Sequence, residues 1–84
     1  MKFPRDCFKE CVKLRSIEIP DSILAIGENA FGECRVLIDV VIPDHLNEIH
    51  NGAFNGSEHI VLHVREKSCG EVYAQEKGIH YVLK

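Results

Sequence analysis

No cluster of basic residues, no long apolar run and no glycine-rich loop occurs in this sequence of 84 residues. Each absence removes a class of function. With a formal net charge of −3 and no lysine- or arginine-rich stretch, the chain lacks the electrostatic footprint of a nucleic-acid binder. It also lacks the polybasic segment that holds proteins at anionic membrane surfaces. A membrane-spanning helix needs about 18 or more apolar residues in a row. The best run here, Val36 to Ile42, is interrupted by Asp39. Met1 to Asp6 is followed by no apolar stretch, so no secretory signal is read.

Motifs that carry chemistry are missing as well. Cys7 and Cys11 do not have the C-x-x-C spacing of zinc and redox sites. His45, His50, His59, His63 and His80 form no H-E-x-x-H or other ligand pattern. Ser16, Ser22, Ser57 and Ser68 lack a G-x-S-x-G elbow. Gly52 and Gly56 read as turn glycines. The chain is therefore read as non-enzymatic, with no catalytic residue, no metal ligand and no cofactor. The four cysteines (Cys7, Cys11, Cys34 and Cys69) make an even count, which admits a disulfide framework. The residues between them, however, form an ordinary apolar core, so free thiols are the simpler reading.

What is present is a repeat. Phe8, Phe31 and Phe54 recur at an interval of 23 residues, and other positions keep the same interval. Leu14, Leu37 and Ile60 form one series, and Cys11, Cys34 and Ser57 another. Ile17 pairs with Val40, Ile19 with Ile42, Pro20 with Pro43, Asp21 with Asp44, Ile23 with Leu46, and Ile26 with Ile49. Within a unit the apolar residues end in an alternation, which predicts a short strand. Proline then removes a backbone donor and stops it. Ile23 and Ile26 predict a second short extended piece, Gly27 and Asn29 a turn, and Ala30-Phe31 a helical or 3₁₀ turn. If each unit is one coil of a solenoid, equivalent residues stack at roughly 4.8 Å. The three phenylalanines then form a spine at the roughly 4.5–7 Å spacing of offset aromatic pairs. Asp21 and Asp44 fall one coil apart; like charges so placed raise one pKa or attract a cation, or more simply form a solvated turn ladder.

The units are read as about 8–30, 31–53 and 54–66, followed by a C-terminal cap at 67–84, all in one domain. The first unit is expected to begin at Cys7-Phe8 without a preceding strand. In the third unit Ile60, Leu62 and Val64 alternate, one residue shorter than before. Ser68 with Glu71 three residues on is a capping box, and Gly78 suits a left-handed helix end. These signals predict a helix from about 69 to 77, with Cys69, Val72, Tyr73 and Glu76 on one face, then a final strand at Ile79–Val82.

The segments "FKECVKLRSIEIPDSILAIGENAF" and "FGECRVLIDVVIPDHLNEIHNGAF" resemble the BspA-type leucine-rich repeat family, and "VLHVREKSCGEVYAQEKGIHYV" is similar to that family's usual ending. The resemblance covers the chain from Cys7 onward. It implies an α/β fold: a right-handed solenoid of leucine-rich-repeat type, with short parallel strands, 3₁₀ or helical turns and a helix-plus-strand cap. It also implies a bacterial surface or secreted setting and a protein-binding role.

The repeat leaves few residues for contacts. Between core positions, Arg15, Ile38 and Val61 are expected in one outward row, and Glu18, Val41 and His63 in another. Ile38, Val41 and Val61 then make a small apolar patch, which fits a contact site or plain strand propensity. The alternative surface is the open N-terminal edge, where Phe3, Phe8 and Val12 would meet further repeats or a second copy, giving a homo-oligomer by edge stacking. The expected partner on either surface is a protein.

Overall fold

The computed structural model describes residues 2–84. Its elements are β1 (Lys2–Phe3), β2 (Ser16–Glu18), β3 (Ala25–Ile26), β4 (Asp39–Val41), β5 (Glu48–Ile49), β6 (Val61–Val64), helix α1 (Cys69–Lys77) and β7 (His80–Leu83). Up to β6, successive strands alternate between two sheets. One has the order β1-β3-β5 and the other β2-β4-β6-β7, and every pairing is parallel.

The sequence interval becomes the hydrogen-bonding register. Phe3, Ile26 and Ile49 lie side by side, as do Ile17 and Val40. From β4 to β6 the offset shrinks by one, and Asp39 faces Val61 and Val40 faces Leu62. The cause is local: one residue separates Ile60 from Leu62 where two separate Leu37 from Val40. The first repeat does have its preceding strand, contrary to the expectation. Lys2-Phe3 pairs with Ala25-Ile26. Phe3 stands 23 residues before Ile26, but two residues are too few to show a period.

A third set of parallel contacts runs through the phenylalanine segments. The Phe8 N–H donates to the Ala30 carbonyl (2.6 Å) and the Glu10 N–H to that of Gly32 (2.7 Å). One repeat on, Phe31 donates to Ala53 (2.8 Å) and Glu33 to Asn55 (2.7 Å). Within each segment the backbone folds in successive turns, such as Ala30 N–H to Gly27 carbonyl (3.2 Å) and Gly32 N–H to Asn29 carbonyl (2.9 Å). Glu10, Glu33 and Gly56 share one repeat position, and all three are left-handed, with φ of 60°, 57° and 79°. Left-handed backbone costs a side-chain-bearing residue on the order of 1–3 kcal/mol, so only the third copy is relaxed.

Between the sheets and the turn row lies one apolar cluster, including Ile26, Phe31, Leu37, Val40, Ile42 and Leu62. Phe31 is wholly buried. Its ring stacks on Phe8 at 5.2 Å and on Phe54 at 5.3 Å, both pairs 8° from parallel, and Phe3 meets Phe8 edge-on at 5.1 Å. The expected spine is thus present, lengthened by Phe3. Beside it the Cys34 thiol donates to the Phe8 carbonyl (3.1 Å), the Ser57 hydroxyl to that of Phe31 (2.6 Å), and the Cys34 N–H to the Ser57 oxygen (2.9 Å). Burial pushes the Cys34 thiol above its usual pKa. All four cysteines are free.

Helix α1 starts where Ser68 accepts from the Glu71 N–H, while the Glu71 carboxylate accepts from the Lys67 N–H (2.8 Å). It ends at left-handed Gly78, with the Ile79 N–H donating to the Ala74 carbonyl (2.9 Å). The buried face is Gly70, Tyr73 and Ala74, not the expected face through Val72, which is 49% exposed. Gly70 explains the rotation. A Cβ there would lie 2.7 Å from the Val64 Cγ1 and 3.1 Å from the Ile42 Cγ2, so its missing side chain lets the helix settle on the sheet. Strand β7 then returns parallel to β6, a connection that needs a crossover such as α1.

Candidate interaction surface

Alternation in the four-stranded sheet separates core from surface. On β4, Val40 is buried while Asp39 is exposed and Val41 half-buried; on β6, Leu62 and Val64 are buried between the half-buried Val61 and His63. The outward rows follow from the pairing. One is Ser16, Asp39, Val61 and His80; the other is Glu18, Val41, His63 and Val82.

The second row places Glu18, Val41 and His63 side by side, as the spacing predicts. The first corrects a prediction. Val61 does not continue Arg15 and Ile38 but sits opposite Asp39. The shortened third strand moves it by one place, because a single residue there replaces two. Arg15 and Ile38 remain neighbours just before their strands, where the Arg15 carbonyl accepts from the Ile38 N–H (2.8 Å). Ile38 is 46% exposed. Strand β7 extends the face with Val82 and His80, which the repeat could not reveal because β7 lies outside it.

Polar groups tie the face together. His63 Nε2 and Asp39 Oδ1 are 2.9 Å apart across β4 and β6. At the strand ends Asp44 is held between Arg65 (3.0 Å) and Lys84 (3.3 Å). The Arg65 guanidinium, seconded by Lys84, lowers the Asp44 carboxyl below its ordinary value. Asp21 is not among the causes of that shift, so the like-charge alternative for the two aspartates finds no support at Asp44. Lys84 also donates to the Ile42 carbonyl (2.5 Å), anchoring the chain end on the sheet.

The N-terminal edge is arranged differently. Phe3 and Phe8 are half-buried against the ring spine, and Val12 is 58% exposed. Outside β1 and β2 no further strand follows among the described residues. Among the described residues no group of three or more His, Cys, Asp or Glu is placed to hold a metal ion. No helix among them is long and apolar enough to cross a membrane.

A family model described as the BspA type leucine rich repeat region (6 copies) matches residues 1–73. The chain belongs to the BspA-type leucine-rich repeat family. The match ends inside α1, so it takes in the strands through β6 and stops before β7. No curated protein and no solved structure gives a significant match. For this BspA-type chain, membership points to a repeat-protein module of the kind used in protein interaction, and not to a chemistry. The residues missed by sequence reasoning are His80 and Val82; the pairing of β7 with β6 was their only signal, and it exists only in the fold.

Proposed function

We propose that this BspA-type chain is a non-enzymatic interaction module, a short right-handed solenoid that binds a protein through its four-stranded face. The observation that carries this reading is the outward row Glu18–Val41–His63–Val82, with Ile38 beside it. It sets apolar side chains among polar ones on a face whose other side is spent on the core, the mixture found at non-obligate interfaces. The helix and final strand act as the solenoid's C-terminal cap. Family membership supports a bacterial cell-surface setting.

The test uses a photo-crosslinking residue at Ile38 or Val82 and, as the control, at the exposed Leu24 just before β3 of the other sheet, with the chain incubated with the extracellular surface fraction of the source cells. The reading expects one discrete adduct from the first two positions and none from Leu24. Ile38→Glu and Val82→Glu should abolish the adduct while stability stays within ~0.5 kcal/mol, as exposed sites allow. Equal capture from both sheets would refute the assignment of the face.

A second reading rests on the edge of β1 and β2. These strands pair on one side only, and exposed Val12 lies beside them. Such an edge suits stacking on further repeats or on a second copy through Phe3, Phe8 and Val12. Sedimentation in reducing buffer decides the self-stacking form: a strict monomer at high concentration eliminates it.

A further inference from the structure

Three rows of backbone contacts join consecutive repeats, and each ends differently after the third. In the four-stranded sheet, β7 takes the place of a next strand beside β6. In the three-stranded sheet, α1 packs against the last strand, β5. The turn row is given no successor. Its donors in the first two repeats are Phe8 and Glu10, then Phe31 and Glu33, each pair reaching two carbonyls of the next repeat that stand two residues apart. The equivalent donors of the third repeat are Phe54 and Gly56, and among the described residues neither N–H meets a backbone carbonyl.

The ring spine is completed, but not by a phenylalanine segment. Tyr73 from α1 lies 6.1 Å from Phe54, and its hydroxyl donates to the Asn51 carbonyl (3.1 Å). Tyr73 therefore replaces the next ring but brings no carbonyl row with it. Beside it remains a cleft of about 350 Å³, bordered by Phe54, Gly56, Tyr73, Lys77, Ile79 and His80. Phe54 is buried and Gly56 exposed; among the described residues neither N–H is taken by a backbone carbonyl, so both are open to an acceptor-bearing ligand that enters the cleft and replaces water there.

We propose that this cleft binds a short peptide segment of a partner protein, folded in turns like the chain's own phenylalanine segments and held by two backbone carbonyls two residues apart that accept from the Phe54 and Gly56 N–H groups. The segment completes the turn row of a fourth repeat whose other two rows are already filled by β7 and α1. The cleft meets the strand face only at His80 and uses none of the Glu18–Val41–His63–Val82 row. Internal continuity names the ligand chemistry: the same donors, one and two repeats earlier, take carbonyls in that spacing. Charge does not select the ligand, because Lys77 and Glu58 both border the cleft. A second folded copy is excluded as the occupant, since its own β1 and β2 would have to stand where α1 and β7 already are.

The probe is the chain's own turn segment, a capped peptide of residues 29–37 (NAFGECRVL) carrying Cys34→Ser, added to the full isotope-labelled chain. Amide resonances of Phe54, Gly56 and Lys77 to His80 should shift saturably, and hydrogen exchange at Phe54 and Gly56 should slow at least tenfold. A scrambled peptide should do neither. Lys77→Trp and His80→Trp, two exposed positions that each narrow the cleft, should weaken binding at least tenfold without altering the rest of the spectrum. Shifts centred on Lys2–Phe3 and Ser16–Glu18 would overturn the proposal by placing the peptide on the N-terminal edge. So would the absence of shifts at millimolar peptide. Protection of Phe54 and Gly56 that rises with protein concentration alone would show that a second copy fills the cleft, and would overturn it too.

Discussion

Cutting the aromatic spine at its centre and at its end should have unequal effects. Phe31 is wholly buried and stacked on both sides, by Phe8 at 5.2 Å and Phe54 at 5.3 Å. Replacing a buried phenylalanine by alanine costs about 3–5 kcal/mol, the cavity included. Each aromatic pair lost accounts for roughly 0.5–1.5 kcal/mol beyond area burial, so Phe31→Ala belongs near the top of that range, at about 4–5. Phe8 is half-buried and stacks on one side, with Phe3 edge-on beyond it. Phe8→Ala should cost about half as much, ~2 kcal/mol. Total stability for a chain of this length is on the order of 4–13 kcal/mol at roughly 0.05–0.15 kcal/mol per residue, so the central cut removes a large share of it. With a urea dependence of about 1 kcal/mol per molar, far-UV circular dichroism should show the midpoint fall by about 4 M for Phe31→Ala and ~2 M for Phe8→Ala. If the central change exceeds the total, the variant will be unfolded in buffer while Phe8→Ala still folds. A Phe8→Ala effect equal to or larger than that of Phe31→Ala would refute the spine as a continuous, centre-weighted core.

Two further outcomes follow from α1. Gly70→Ala forces a methyl to within 2.7 Å of Val64; overpacking of about 1–3 kcal/mol outweighs a helix-propensity gain of at most ~1, so the urea midpoint should fall, and an unchanged midpoint would show that the helix does not need that approach. Burial pushes the Tyr73 hydroxyl up to about 12 from an ordinary 10, which favours its protonated form in the folded state; its contribution to stability is whole below pH ~10 and is lost as pH rises toward ~12, so ultraviolet titration should show a tyrosine step near 12 that Tyr73→Phe removes.

Much of this fold can be read before it is seen, because the repeat spends most of its residues on burial. The phenylalanines, the Cys11-Cys34-Ser57 series and the isoleucines each announce one inward position at a constant interval. The limits of α1 are legible because Ser68, Glu71 and Gly78 satisfy helix ends by chemistry that works locally. What is not legible depends on contacts made at a distance. Two residues of β1 carry no period, and only pairing with β3 makes them a strand. The rotation of α1 is set by how closely Gly70 meets Val64 and Ile42. The outward face misleads at Val61, since a constant interval cannot show where a missing residue is absorbed. Cleft donors such as the Phe54 and Gly56 N–H groups leave no mark on side-chain identity at all.

That missing residue bears on how the chain finds its structure. Similar repeats invite mispairing during folding, because a strand from one copy carries the same chemistry as its neighbour. The path from Phe54 to β6 is shorter than its counterpart from Phe31 to β4 by one residue, about 3.3 Å of strand. A wrong copy placed there would carry a surplus residue and turn its inward side chains out. An exchange of these two copies therefore leaves one residue over, so the same irregularity that disguises the outward row favours the native order of the second and third repeats over their exchange.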